Sequence, residues 1–176
     1  MRMRCVVPVT ILASLLGVAV LAAPVAAAKK ALPDACTAVT QADVTAAFTK
    51  LDASLQPVGA VSEPTRSKPT SQGGSGPHAC ESHMEIPNSV GVSVLVSLNP
   101  YQKKYGCPPK GQPGKTVKVS GTKVFVEANP SRPNETRDVT FIDRGACAFI
   151  EISPSGGSAV VPASAFLDLA TAALAK

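Results

Sequence analysis

The chain has 176 residues, 17 basic against 12 acidic, and no tryptophan. That length holds one core of ordinary size, and a net charge of +5 does not by itself mark a nucleic-acid binder. With so few aromatics, the core rests on Val, Ile, Leu, Ala and a few Phe, which makes covalent support useful.

Arg2 and Arg4 precede an uncharged apolar stretch from Val9 to Ala23, and Ala26-Ala27-Ala28 offers small residues to a signal peptidase. This is the pattern of a cleavable export signal over residues 1–28. A retained membrane span needs about 18 unbroken apolar residues. Here Thr10, Ser14 and Gly17 interrupt the run and Pro24 ends it. No lipid anchor is expected either, because Cys5 lies ahead of the run and Cys36 follows Leu32-Pro33-Asp34-Ala35, which is not a lipid-attachment box. Removing 28 of 176 residues leaves 148, residues 29–176, as a single expected domain. Taking Arg2 and Arg4 from 17 basic residues leaves 15 against 12 acidic, a net charge of +3. The expected setting is secreted or periplasmic, in the cell-envelope space, with no membrane anchor after cleavage and no nucleic-acid partner.

In such a compartment thiols oxidise, and the exported part keeps Cys36, Cys80, Cys107 and Cys147. Four cysteines allow three pairings, which the spacing leaves open. We favour Cys36–Cys80 with Cys107–Cys147. Each bond would close a ring of roughly 40 residues and contribute about 4 kcal/mol through the unfolded chain's lost entropy.

Thr40 suits a helix cap, with Asp43 three residues on and Val39 and Val44 at the staple positions. Val44, Ala47, Phe48 and Leu51 then continue an i, i+3, i+4, i+7 stripe, so a short amphipathic helix ends near Lys50. Residues 57–77 are rich in Pro, Ser, Thr and Gly and read as a flexible loop. Beyond Cys80 the period becomes two. Glu81 to Ile86 and Val92 to Leu98 form a hairpin through Pro87-Asn88-Ser89. Thr116 to Val119 pairs with Thr122 to Glu127 through Ser120-Gly121, and Asp138 to Asp143 with Ala146 to Ser153 through Arg144-Gly145. Pro162 suits the first turn of a last helix whose stripe is Phe166, Leu169, Ala170, Ala173 and Leu174. The order predicts an α+β domain: an antiparallel, meandering sheet of about five or six strands with an N-terminal and a C-terminal helix on one face. Asn134-Glu135-Thr136 reads as a surface turn.

Two constellations carry candidate chemistry. His78-Ala79-Cys80-Glu81-Ser82-His83-Met84 gathers both histidines, a cysteine and a thioether, the donors of a copper or zinc site. A disulfide at Cys80 removes its thiolate, and an extended segment points His83 away from His78 and Cys80. Metal binding through His78, His83 and Met84 is therefore the alternative function, and no cofactor is expected. The second constellation is basic. From Ile86 to Val126 no acidic residue occurs, while Lys103, Lys104, Lys110, Lys115, Lys118 and Lys123 do. Both tyrosines, Tyr101 and Tyr105, lie in the same stretch, and Cys107 with Pro108-Pro109 stiffens it. Tyr101, Lys103, Lys104, Tyr105, Lys110 and Lys115 are the candidate contact residues for an anionic envelope component or a protein partner.

Catalysis finds little footing. No G-x-S-x-G elbow, C-x-x-C pair, P-loop or G-x-G-x-x-G occurs, and only two histidines are available as a base. Gly73-Gly74-Ser75-Gly76 reads as loop. Asp138, Asp143 and Glu151 read as ordinary surface charges and not as a carboxylate pair for glycoside cleavage.

The segment Asp34-Ala35-Cys36-Thr37-Ala38-Val39-Thr40-Gln41-Ala42-Asp43-Val44 resembles the opening of exported actinobacterial envelope domains of unknown function, many of them lipoproteins. In those a cysteine precedes a short capped helix, a second cysteine follows a variable loop at the start of a sheet, and an alanine-rich helix closes the chain. Cys80 and the segment from Pro162 to Lys176 match the last two features. The resemblance implies an extracytoplasmic setting and the Cys36–Cys80 bond, and it implies no enzymatic activity. The chain departs from the pattern in its missing lipobox cysteine, in Glu81-Ser82 where an aromatic often stands, and in the extra pair Cys107 and Cys147. Together these readings predict a secreted, non-catalytic binding domain.

Overall fold

The computed structural model describes residues 34–66, 79–88, 90–101, 103–104, 106–108, 110–155 and 159–176. The chain divides into two units, 1–30 and 31–176, and every described residue belongs to the second. The expected signal segment lies outside the described residues.

Asp34 opens a four-residue helix, α1 (Ala35–Ala38), its carboxylate accepting from the Cys36 N–H at 3.0 Å. Helix α2 (Gln41–Thr49) starts on the expected capping box: Thr40 Oγ1 accepts from the Asp43 N–H, and Asp43 Oδ2 accepts from the Thr40 N–H at 2.8 Å. Val44, Ala47 and Phe48 turn inward, and Val39 is buried beside them. A 3-10 turn (Ala53–Leu55) follows.

Seven strands follow: β1 (Thr65–Arg66), β2 (Ala79–Ile86), β3 (Val90–Pro100), β4 (Gly114–Val119), β5 (Thr122–Asn129), β6 (Arg132–Asp143) and β7 (Ala146–Ser155). The last helix is α3 (Ala163–Leu174), and Pro162 stands just ahead of its first turn instead of within it. The three expected hairpins form. Ser120 and Gly121 lie at φ 47° and 81°, and Arg144 and Gly145 at 45° and 82°. Two successive left-handed residues make the turn whose twist matches the flanking strands, and glycine takes the second place without strain.

The sheet corrects the expectation in three ways. It has seven strands, in the order β1-β2-β3-β7-β6-β5-β4, all antiparallel. It is not a plain meander, because β7 returns to lie between β3 and β6 and sends the β3–β4 connection over to the far edge. The physical reason is apolar matching. Val92, Val94, Val96 and Leu98 of β3 and Ala146, Ala148, Ile150 and Ile152 of β7 carry the most continuous buried rows, so they pair at the centre. The third correction concerns the helices. The sheet is met by α1 and α3, whereas α2 leans mainly on α3. The layer between sheet and helices is filled by Phe48, Phe141, Phe166, Leu98, Ile150 and Leu169, all 1% exposed or less.

The loop expected over 57–77 is partly ordered by the β2 edge. Val58 N–H donates to Glu85 O at 2.7 Å, Ser62 N–H to His83 O at 2.8 Å, and Thr65–Arg66 pair with Glu81 and Cys80. Residues 67–77 lie outside the described residues. Both favoured disulfides are present: Cys36–Cys80 ties α1 to β2 with Cα atoms 5.1 Å apart, and Cys107–Cys147 ties the β3–β4 connection to β7 at 5.7 Å. The bonds point to an oxidising compartment. Among the described residues no helix is long and apolar enough to cross a membrane.

Candidate functional site

Strand alternation assigns each side chain to the helix-covered face or the opposite one. On the opposite face the register sets out rows across the strands. One runs Asn99, Cys147, Ile142. Because Val124 pairs with Phe141, the next residues outward, Lys123 and Ile142, share that face. Lys123 stands directly opposite Lys118. The β3–β4 connection forms a strap whose described residues are fastened to the sheet at Cys107, bonded to Cys147 on this face, and at the far end by Ala128 N–H donating to Pro113 O at 3.0 Å. It lands so close to the sheet that a side chain on Gly114 would sit 2.7 Å from the Phe125 ring.

The strap places the expected contact residues as follows. Tyr101 is 40% exposed, its N–H donating to Gly145 O at 3.0 Å. Lys103, Lys104 and Lys110 are exposed on the strap, and Tyr105 lies outside the described residues. Lys115 is exposed too, but it alternates with Lys118 along β4 and belongs with Val117 and Val119 on the other side. Lys118, Lys123 and Ile142 thus share the face to which Cys107 is fastened, and Lys115 does not. The lysine pair was legible, because a two-residue turn at Ser120-Gly121 pairs Val119 with Thr122 and so Lys118 with Lys123; Ile142 was not. Among the described residues, Lys103, Lys110, Lys118 and Lys123 have no ion pair. Like charges directly opposite cost a few tenths to about 1 kcal/mol.

The metal alternative divides across the sheet. Met84 is buried in the core, His83 is exposed on the far face, Cys80 is in its disulfide, and His78 lies outside the described residues. Asp34 does lie near Cys36 and Cys80, but those sulfurs bond each other, and the carboxylate caps α1 and pairs with Arg66 at 2.9 Å. His83 instead joins Ser93 and Glu81: His83 Nδ1 is 3.1 Å from Ser93 Oγ, which donates to Glu81. A serine that gives its proton to a carboxylate is not activated by the imidazole, so this trio lacks the relay of a hydrolase.

A second row overturns the reading of Asp138 as a surface charge. Glu127, Asp138 and Glu151 lie directly opposite one another on β5, β6 and β7. Asp138 is 1% exposed and Glu127 4%. Arg137 is the extra residue of a β-bulge there, and its guanidinium reaches Glu127 at 3.4 Å and Asp138 at 3.8 Å. Asp138 Oδ1 has no hydrogen-bond partner. Burial, then the facing Glu127 carboxylate, pushes Asp138 up to about 7; Arg137 pulls it down, Glu151 pushes it up again, and Thr140 opposes weakly. Glu151 and Glu135 border an open cavity of about 480 Å³ at this end, and Glu127 borders a neighbouring one of about 650 Å³ beside the start of α3. Asp138 itself is too enclosed to touch a substrate, so the row is an acid held inside the fold. Sequence missed it because the bulge that sets Arg137 beside both carboxylates leaves no pattern in the residue types.

No known family matches the chain, and no curated protein or solved structure matches it.

Proposed function

We propose that this is an exported, non-catalytic binding domain of the cell envelope, which holds an anionic component at the strap and the β4–β5 hairpin. The observation that carries the reading is the Lys118–Lys123 pair: two like charges set face to face, without an acid, beside an exposed lysine-bearing strap. A fold gains nothing from that placement, whereas an anionic ligand does. The two disulfides and the signal-like first 28 residues support the extracytoplasmic setting. The filled layer between sheet and helices favours a partner on the surface over a small molecule inside.

The test is retention of the oxidised protein on immobilised anionic envelope polymers, with Lys103→Ala, Lys118→Ala and Lys123→Ala combined. Wild-type retention that weakens with salt and disappears in the triple variant is expected. Retention unchanged in that variant overturns the assignment.

A further inference from the structure

Tyr101 and Ile142 are two of the four large apolar side chains left exposed among the described residues, the others being Val58 and Val160. Ile142 is 43% exposed, and it lies between Cys147, which fastens the strap, and the Lys118–Lys123 pair. Tyr101 begins the strap itself, bonded to the turn that joins β6 to β7. Apolar tips and lysines thus share one end of the sheet.

We infer that this end docks on an anionic lipid surface, with Tyr101 and Ile142 entering the headgroup layer while Lys103, Lys110, Lys118 and Lys123 meet the phosphates around them. The inference rests on the binding reading above and names its ligand. A soluble polyanion rewards only the lysines. A bilayer interface rewards both parts, because an amphipathic ring and an aliphatic tip leave water while lysine stems stay extended to the headgroups. The cation type agrees. Arg144, the arginine at this end, is held by Asp143 at 2.7 Å, so the available charge is lysine. Lysines act as mobile point charges, suited to a diffuse negative surface more than to a bidentate phosphate site. Each lysine near such a surface contributes about fivefold in partitioning, and a polybasic patch with a modest apolar insertion is the pair of signals that reversible membrane association needs.

The chain has no tryptophan and two tyrosines, both in the strap region. With Tyr105→Phe, tyrosine emission reports on Tyr101 alone. The experiment co-sediments the oxidised protein with phosphatidylglycerol–phosphatidylcholine vesicles, with phosphatidylcholine vesicles, and measures binding to soluble polyphosphate in parallel. Expected are salt-sensitive binding to the anionic vesicles only, quenching of tyrosine emission by nitroxide-labelled lipid, a fall of about 25-fold for Lys118→Ser with Lys123→Ser, and a several-fold fall for Ile142→Ser with Tyr101 intact. Ile142→Ser leaves polyphosphate binding unchanged. Polyphosphate binding without vesicle binding overturns the lipid inference and keeps the anion-binding reading. Binding to neither overturns both. Vesicle binding that ignores Ile142→Ser and shows no quenching overturns the insertion.

Discussion

The strap end and the carboxylate row both crowd like charges on one sheet face, yet the crowding acts differently in each. Lys118 and Lys123 stand in water, where repulsion is screened and costs little. Glu127 and Asp138 are enclosed, share one guanidinium, and leave an oxygen without a partner. Exposed like charges remain open to solvent and to a ligand. In the enclosed row, burial raises Asp138 so that it holds its proton to higher pH. Burial, more than the number of charges, decides which outcome a cluster has.

The sharpest way to break this contrast is to remove the enclosed acid. Asp138 has its folded value raised from 3.8 to about 7, so between those limits the folded state binds more protons than the unfolded. Stability therefore falls as pH rises through that window and levels off above it, by about 4 kcal/mol if Asp138 acts alone. Urea denaturation of Asp138→Asn across the same range is expected to lose most of that slope and to be the more stable protein at pH 8. A wild type whose stability climbs steadily from pH 4 to 7 would contradict the enclosed-acid account.

Next in size is the strap's fastening. Replacing Cys107 and Cys147 by serine is expected to cost about 2–4 kcal/mol in urea denaturation. It also frees the lysines of the strap from Lys118 and Lys123, so retention on anionic material drops even where the protein remains folded. Unchanged retention would place the binding surface elsewhere. Arg137→Ala comes third: the row loses its cation, and destabilisation of about 1–3 kcal/mol is expected, larger at pH 8 than at pH 5. An equal loss at both values would mean that the arginine acts by packing. The smallest effect has the opposite sign. Lys118→Glu turns a repelling pair into an attracting one, stabilising the fold by a few tenths of a kcal/mol while weakening binding. If it strengthens both, the lysine pair has no role in recognition.

Local features were readable and long-range ones were not. The capping box at Thr40 and Asp43, the turns at Ser120-Gly121 and Arg144-Gly145, and the alternation in β3 and β7 each follow from residues close in sequence. The pairing of β3 with β7 joins residues distant in sequence, from Pro100 with Ala146 to Gly91 with Ser155, and has no turn to announce it, so residue pattern alone suggests a meander. Strand β1 escaped notice because two residues held by a neighbour's edge make no periodic pattern. At the candidate site the basic stretch was visible, but which lysines share a face depends on strand parity. Lys118, Lys123 and Ile142 lie on one face and Lys115 on the other. Asp138 misled because its neighbours on β5 and β7 are distant in sequence.

The place of β7 at the middle of the sheet has a consequence for how the chain is made. A polypeptide made from its N-terminus delivers β2 and β3 long before Ala146–Ser155 arrives to cover the flank of β3, and α3 comes later still. Until then Val92, Val94, Val96 and Leu98 lack their central neighbour. The unfinished domain thus shows an apolar strip until β7 is made, the kind of surface a holding chaperone takes up. A chain ending at Asp143 should emerge soluble only with such help, and pulse-labelled protease sensitivity would display the wait.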